Sequence, residues 1–107
     1  MKSGSFKVRY TASARDDLLR LFDFLLDRAR TAEDFEAAQH AIDAITAAVE
    51  SHLSRTPLIF RKAGSDPFRR ELVIPFGSAG YVALYEVEDR KTINILAVRH
   101  QREDDYH

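Results

Sequence analysis

The chain reads as an α+β two-layer sandwich of order β-α-α-β-β-β, a helical hairpin packed on an antiparallel sheet. Three observations predict it. Apolar residues recur at helical spacing twice between residues 11 and 54. Three β-rich runs follow between residues 68 and 103, separated by short turn-forming stretches. A short alternating run at residues 6–10 precedes both. A strand up, a helix down and a helix up return the chain ready to run down, so the sheet is expected to be antiparallel throughout.

Phe6-Lys7-Val8-Arg9-Tyr10 alternates apolar and basic side chains, the pattern of a half-buried strand. Thr11 or Ser13 then offers an N-cap oxygen, with Asp16 and Asp17 placed to favour the positive end of the helix dipole. Ala14, Leu18, Leu21, Phe22, Leu25 and Ala29 form the core stripe of the first helix. Leu19, Phe24 and Leu26 widen that stripe, so the helix is expected to touch something on a second side. Thr31 and Asp34 restart the pattern as a capping-box-like pair. Phe35, Ala38, Ile42, Ile45, Val49 and Leu53 make one ridge of the second helix, and Ala37, Ala41, Ala44 and Ala48 lie beside it, small enough for close helix approach. Thr56-Pro57 stops this helix, because the residue before proline is pushed out of the α region. Leu58 to Pro67 reads as a basic loop carrying Arg61 and Lys62. The strands follow as Arg70–Ile74, Tyr81–Val87 and Thr92–His100, turned by Gly77-Ser78-Ala79-Gly80 and by Glu88-Asp89-Arg90-Lys91. The last two strands are apolar on both faces, so the face away from the helices is expected to be covered by a partner chain or by the loop at 55–67.

At 107 residues the chain fits one domain, 1–107, with a single modest core. It has no cysteine, which excludes disulfides and thiolate metal sites. No run of about 18 apolar residues is present and Met1 to Tyr10 has no apolar signal core, so it reads as soluble and cytoplasmic, without membrane contact. The net charge of −1 hides a division. Residues 12–54 carry four bases against nine acids, whereas 55–102 carry nine bases against five acids. A free nucleic-acid binder would be more basic overall.

The TASARDDLLRLFDFL helix, the Pro57 and Gly64 loop, the FRRELVI strand, the YVALYEVEDRKTINILAV hairpin and the closing RHQRE together resemble toxins of the ParE/RelE superfamily from type II toxin–antitoxin, or plasmid stabilisation, systems. The resemblance covers nearly the whole chain. It implies a RelE/ParE-like sandwich and a growth-inhibiting toxin neutralised by a cognate antitoxin. ParE-like members bind and inhibit DNA gyrase without a hydrolytic site, and RelE-like members cleave mRNA on the ribosome. The ParE-like function is the first expectation, with the ribosome-dependent endonuclease as alternative and a non-toxic assembly or autorepression partner as a third. No cofactor and no metal is expected, and a toxin homodimer within a hetero-oligomer is allowed.

The densest cluster of hydrogen-bonding groups follows the apolar INILAV run: Arg99, His100, Gln101 and Arg102. Under the binding reading no catalytic residue is favoured, and Arg99, His100, Arg102, Arg61 and Lys62 are expected to meet the target. Under the nuclease reading His100 is the general acid or base, since imidazole is the side chain suited to proton transfer near neutral pH. Arg70, Arg99 or Arg102 would then stabilise phosphate charge and Tyr106 would stack or donate a proton. A strand-end histidine that only hydrogen-bonds a loop is the structural alternative. Sparse lysines and the acidic ending, Asp104-Asp105, argue against a phosphate site. For the antitoxin the expected contacts are Arg69, Arg70, Tyr81, Tyr85, Leu18, Phe22 and Leu26, met by an apolar segment flanked by acids. His40 and His52 stand twelve positions apart on one helix and cannot share a metal. Glu86 is expected to face Arg99 across the last hairpin.

Overall fold

The computed structural model describes residues 5–77 and 79–102. Its elements are β1 (Lys7–Tyr10), α1 (Ala12–Arg28), α2 (Ala32–Leu53), β2 (Arg61–Lys62), β3 (Arg69–Phe76), β4 (Ala79–Val87) and β5 (Thr92–His100). They form two helices on one five-stranded sheet of order β1-β5-β4-β3-β2. The α+β sandwich predicted from the sequence is therefore present, with one change in the sheet: β1 pairs with β5 in parallel. The cause lies in the segment expected to be a plain loop. Arg61–Lys62 pairs antiparallel with Arg70–Glu71, which reverses the chain once more before β3. After two further reversals β5 runs in the direction of β1.

Thr11 caps α1, its side chain accepting from the Ala14 amide. Helix α1 starts at Ala12, so Asp16 and Asp17 lie beyond the first turn and the expected dipole contact is not made. Asp17 is instead buried, and its Oδ2 accepts the Val98 amide at 2.8 Å. Strand β1 ends at Tyr10, opposite Ile95, so β5 beyond that point needs other partners along this edge. Thr11 supplies one, its amide and its hydroxyl both donating to the Ile95 carbonyl. Asp17 supplies the next, so that backbone groups left by the short strand are satisfied from α1. The capping box of α2 forms as expected, with Thr31 and Asp34 each bonding the other's backbone amide.

One core fills the space between the layers. Ala14, Leu21, Ala41, Ile45, Val49 and Leu53 meet Leu72, Ile74, Tyr81, Ala83, Tyr85, Ile93, Ile95 and Val98. A register shift between Leu84 and Tyr85 leaves Leu96 unpaired opposite β4, which keeps Ile93, Ile95 and Val98 all on the helix side. The hairpin joining β3 to β4 is tight: Phe76 pairs with Ala79 and Gly77 takes φ 60, where glycine carries no steric penalty. Gly80 is required by proximity, since a Cβ there would run into the carbonyl of Ile74.

The loop at 55–67 folds back on the helix side, not over the far face of the sheet. The Tyr85 hydroxyl donates to the Pro57 carbonyl, and Phe60 packs against the core. On the far face lie Val73, Val82, Leu84, Leu96 and Ala97, none of them part of the helix-packed core cluster. Val82 is 1% and Ala97 5% exposed. Ion pairs frame this strip, Arg9 with Glu88, Arg69 with Glu86 and Arg61 with Glu71. Glu86 thus faces Arg69 and the Asn94 amide instead of Arg99, which stands opposite Val82.

Candidate functional site

At the end of the strands where β5 finishes and β4 begins, α1 and the sheet leave a recess of about 410 Å3 lined by Leu21, Phe24, Leu25, Tyr81, His100 and Arg102. Each group arrives for a local reason. Leu21 and Leu25 belong to the core stripe of α1, and Phe24, 50% exposed, projects from its flank under the Arg28 guanidinium, 4.3 Å from the ring centroid. Tyr81 stands opposite His100 across β4 and β5, so the two side chains share the helix-facing side. Their rings meet edge to face at 5.5 Å, and Phe76 touches the other side of Tyr81 at 6.2 Å. Burial pushes the Tyr81 phenol above its ordinary value. The Nδ1 of His100 accepts the Arg102 amide at 3.1 Å, which leaves Nε2 as the ring nitrogen carrying the proton when the imidazole is neutral.

The site residues expected from the sequence are scattered by the sheet. Arg99 and His100 are adjacent in strand, so they leave opposite faces: His100 enters the recess and Arg99 emerges beside Val82. The Arg99 guanidinium donates to the carbonyls of His100 and Gln101. Arg61 and Lys62 lie on β2, three strands from β5, or about 14 Å across the sheet. Arg61 is bonded to Glu71 at 2.9 Å. Arg70 is opposite Tyr85, four residues along from the Tyr81 register. That separates it from His100 by about 13 Å along the strands and about 10 Å across them. Its guanidinium donates to the carbonyls of Phe60, at 2.7 Å, and Pro67, at 3.0 Å, and so braces the loop. Tyr106 lies outside the described residues. The nuclease set of His100, Arg70 and Arg102 is therefore not drawn together, because Arg70 has a structural role elsewhere.

The residues expected to bind an antitoxin divide in the same way. Tyr85 is fully buried and its hydroxyl is held by Pro57, so it is a core residue with no surface to offer. Burial raises its phenol to about 12, with Arg70 acting in the opposite direction. Arg69 is paired with Glu86 on the far face. Tyr81 is in the recess, whereas Leu18 and Phe22 line a different groove between α1 and α2, and Leu26 is half-buried further along α1. Sequence reasoning missed the role of Asp17. An acid at a core-stripe position, between Ala14 and Leu21, was the available signal. Among the described residues no group of three could hold a metal ion, and His40 and His52 stay apart on α2.

Comparison with known proteins gives concordant relations. The profile of the ParE toxin of the type II toxin-antitoxin system parDE matches residues 8–105. Toxin RelE3 of Caulobacter vibrioides is 37% identical over 90 residues, 84% of this chain and 88% of that protein. The structure from a chromosomal ParDE TA system of P. aeruginosa superposes with a TM-score of 0.70, covering 95% of this chain and all of its own, at 22% identity. At that identity the superposition speaks for the fold. The profile match over most of the chain, joined to the Caulobacter relative and to a two-helix, five-strand sandwich, places this chain in the ParE toxin family of the ParE/RelE superfamily, among the toxins of type II toxin–antitoxin systems.

Proposed function

We propose that this toxin acts by binding its target, with DNA gyrase as that target, and that it carries out no RNA cleavage of its own. The observation that supports this is the dispersal of the phosphate-handling residues. In-line cleavage of a phosphodiester needs a proton acceptor and cationic charge within a few ångströms of one phosphorus. Here Nδ1 of His100 is engaged by the backbone, Arg70 braces a loop, and Arg99 faces the other side of the sheet. What remains together, an apolar recess with His100 and Arg102 at its mouth, suits the side chains of a protein partner better than a ribose-phosphate backbone. As a member of its family the toxin has a cognate antitoxin as partner, and the target contact at this recess is the part of the reading that is ours.

The test is direct. Expression of the chain alone is expected to arrest growth and to relax plasmid supercoiling before translation fails, and purified chain should inhibit supercoiling by gyrase. His100→Ala is expected to raise the toxin concentration needed to inhibit gyrase, because it removes part of the recess wall, and neither it nor the parent should cleave ribosome-bound mRNA. The name of the Caulobacter relative, Toxin RelE3, is the one observation favouring the ribonuclease. Cleavage of ribosome-bound mRNA by the parent protein, abolished in a folded His100→Ala variant, would establish that second reading instead.

A further inference from the structure

The end of the sheet opposite to the His100 recess holds an apolar cavity of about 420 Å3. Phe6, Leu58, Phe68 and Val87 line it, together with Glu88, Asp89 and Arg90 from the turn after β4. Tyr81 lines the recess and Val87 the cavity, so about 20 Å of β4 separates the two. Backbone hydrogen bonds pin the cavity's chain segments together. The Phe6 amide donates to the Ser54 carbonyl at the end of α2, and the Val87 amide to the Phe68 carbonyl, both at 2.8 Å. The Glu88 amide closes the β4–β5 turn on the Thr92 carbonyl at 2.9 Å, and the Lys7 amide ties β1 to that turn through the Lys91 carbonyl at 2.6 Å. The cavity is thus formed before any ligand arrives. In its walls Leu58 and Phe68 remain 47% and 52% exposed.

The charged groups at this cavity decide what fits. Glu88 is occupied, accepting from the Asn94 side-chain amide at 2.7 Å and from the Arg9 guanidinium at 3.2 Å. Asp89 accepts the Lys91 amide at 2.8 Å, and that bond, with others from Thr92, holds its carboxyl below the usual carboxylate range. It therefore stays charged and committed to the turn. Arg90 is the one base in the lining, and it is exposed with no hydrogen bond or ion pair among the described residues. Lys91 beside it, and Arg55 next to the Ser54 that holds Phe6, are also exposed and without a side-chain partner among the described residues. A cationic ligand would find both acids engaged. A second copy of this chain would set the three bases against their own images. A ligand with several negative charges would meet repulsion from Glu88 and Asp89. One carboxylate on an apolar body matches the planar fork that Arg90 offers.

We infer that this cavity binds a small amphipathic monocarboxylate, an aryl or short alkyl body carrying a single acid group. The carboxylate pairs with the Arg90 guanidinium, and the body sits among Phe6, Leu58, Phe68 and Val87. The volume lies within the roughly 300–1,000 Å3 of small-molecule pockets, and apolar walls with one polar anchor are the make-up of such sites. The inference is independent of the target proposed above, since the cavity shares no lining residue with the His100 recess.

3-Phenylpropionate and 3-phenylpropylamine provide the probe, having one body and opposite charges at neutral pH. Titrated into the 107-residue chain at low salt, the carboxylate is expected to shift the amides of Phe6, Leu58, Phe68 and residues 87–90. Its dissociation constant should be on the order of 1 mM, about fivefold or more below that of the amine. Arg90→Glu should reverse that order, and Leu58→Ser, which removes apolar wall, should weaken binding of both probes. Both substituted side chains are exposed, so the melting temperature is expected to stay within a few degrees of the parent. Equal binding of the two probes by the parent, shifts confined to the His100 recess, binding of neither, or an Arg90→Glu variant that holds the carboxylate as tightly would each overturn the inference. The comparison of the two probes on the parent chain decides the matter even where a variant fails to fold.

Discussion

At the level of single residues, two buried polar groups carry more of the structure than their chemistry suggests. Tyr85 puts a hydroxyl into the core to hold the Pro57 carbonyl just after the end of α2. Tyr85→Phe keeps the ring and removes the bond, so it is expected to cost about 1–2 kcal/mol in a denaturant titration by leaving the carbonyl unsatisfied. Tyr10 is the complementary case: its hydroxyl is buried with no hydrogen-bond partner among the described residues. Its phenol is raised to about 12 by burial and by Glu50, as that of Tyr85 is by burial. Because both folded values lie above the ordinary tyrosine value of 10, the neutral form is favoured by folding. The associated stability is complete below pH 10 and declines as the pH rises towards 12. A melting temperature that stays flat through pH 9 and falls across that window is expected, with a shallower fall in Tyr85→Phe. Asp17 was legible as an acid within an apolar stripe, but not as the acceptor for Val98, because that bond spans 81 residues. Asp17→Ala is expected to cost about 1–3 kcal/mol, and Asp17→Asn, which keeps an acceptor, clearly less.

Among the elements, those governed by local rules were the ones visible in the sequence. Helix α2 was bounded by its capping box and by Pro57, and the β4–β5 hairpin by alternation and turn residues, since each signal acts within a few positions. Strand β2 was not visible, because two exposed basic residues have no period; they pair only because β3 passes beside them. Missing it also gave β1 the wrong orientation. The candidate site was legible in part for a related reason. The cluster at residues 99–102 was found, but strand alternation, once the register is known, sends Arg99 and His100 to opposite faces, and Arg70 proved to be the brace of the β2 loop. That brace can be tested. Arg70→Ala removes donors to Phe60 and Pro67, and faster amide exchange through residues 58–68, with little change in β4 and β5, is the expected result. Gly80→Ala belongs to the same scale: its methyl would meet the Ile74 carbonyl across the hairpin, a clash expected to cost about 1–3 kcal/mol in the same denaturant titration.

For the molecule as a whole, the decisive contact is the one most distant in sequence. Strands β3, β4 and β5 form a meander from adjacent segments, and α1 and α2 form a hairpin, so each half assembles through short loops. The two halves are joined where β1 lies along β5, Val8 beside Ile93 and Tyr10 beside Ile95, pairs about 85 positions apart. Closing such a loop costs entropy before any burial offsets it, which favours forming the meander first and docking β1 late. Val8 is half-buried against the core and its pairing is made by this strand alone. Val8→Ala is therefore expected to cost about 1 kcal/mol, nearly all of it as faster unfolding. Val82→Ala, at the centre of the meander, should in contrast slow folding by several-fold, since its neighbours in β3 and β5 are already present when the barrier is crossed. Stopped-flow folding and unfolding rates of the two variants separate the cases. Slower folding in Val8→Ala with unchanged unfolding would mean that the parallel β1–β5 pair forms first, and that the helical hairpin is held in place before the meander is complete.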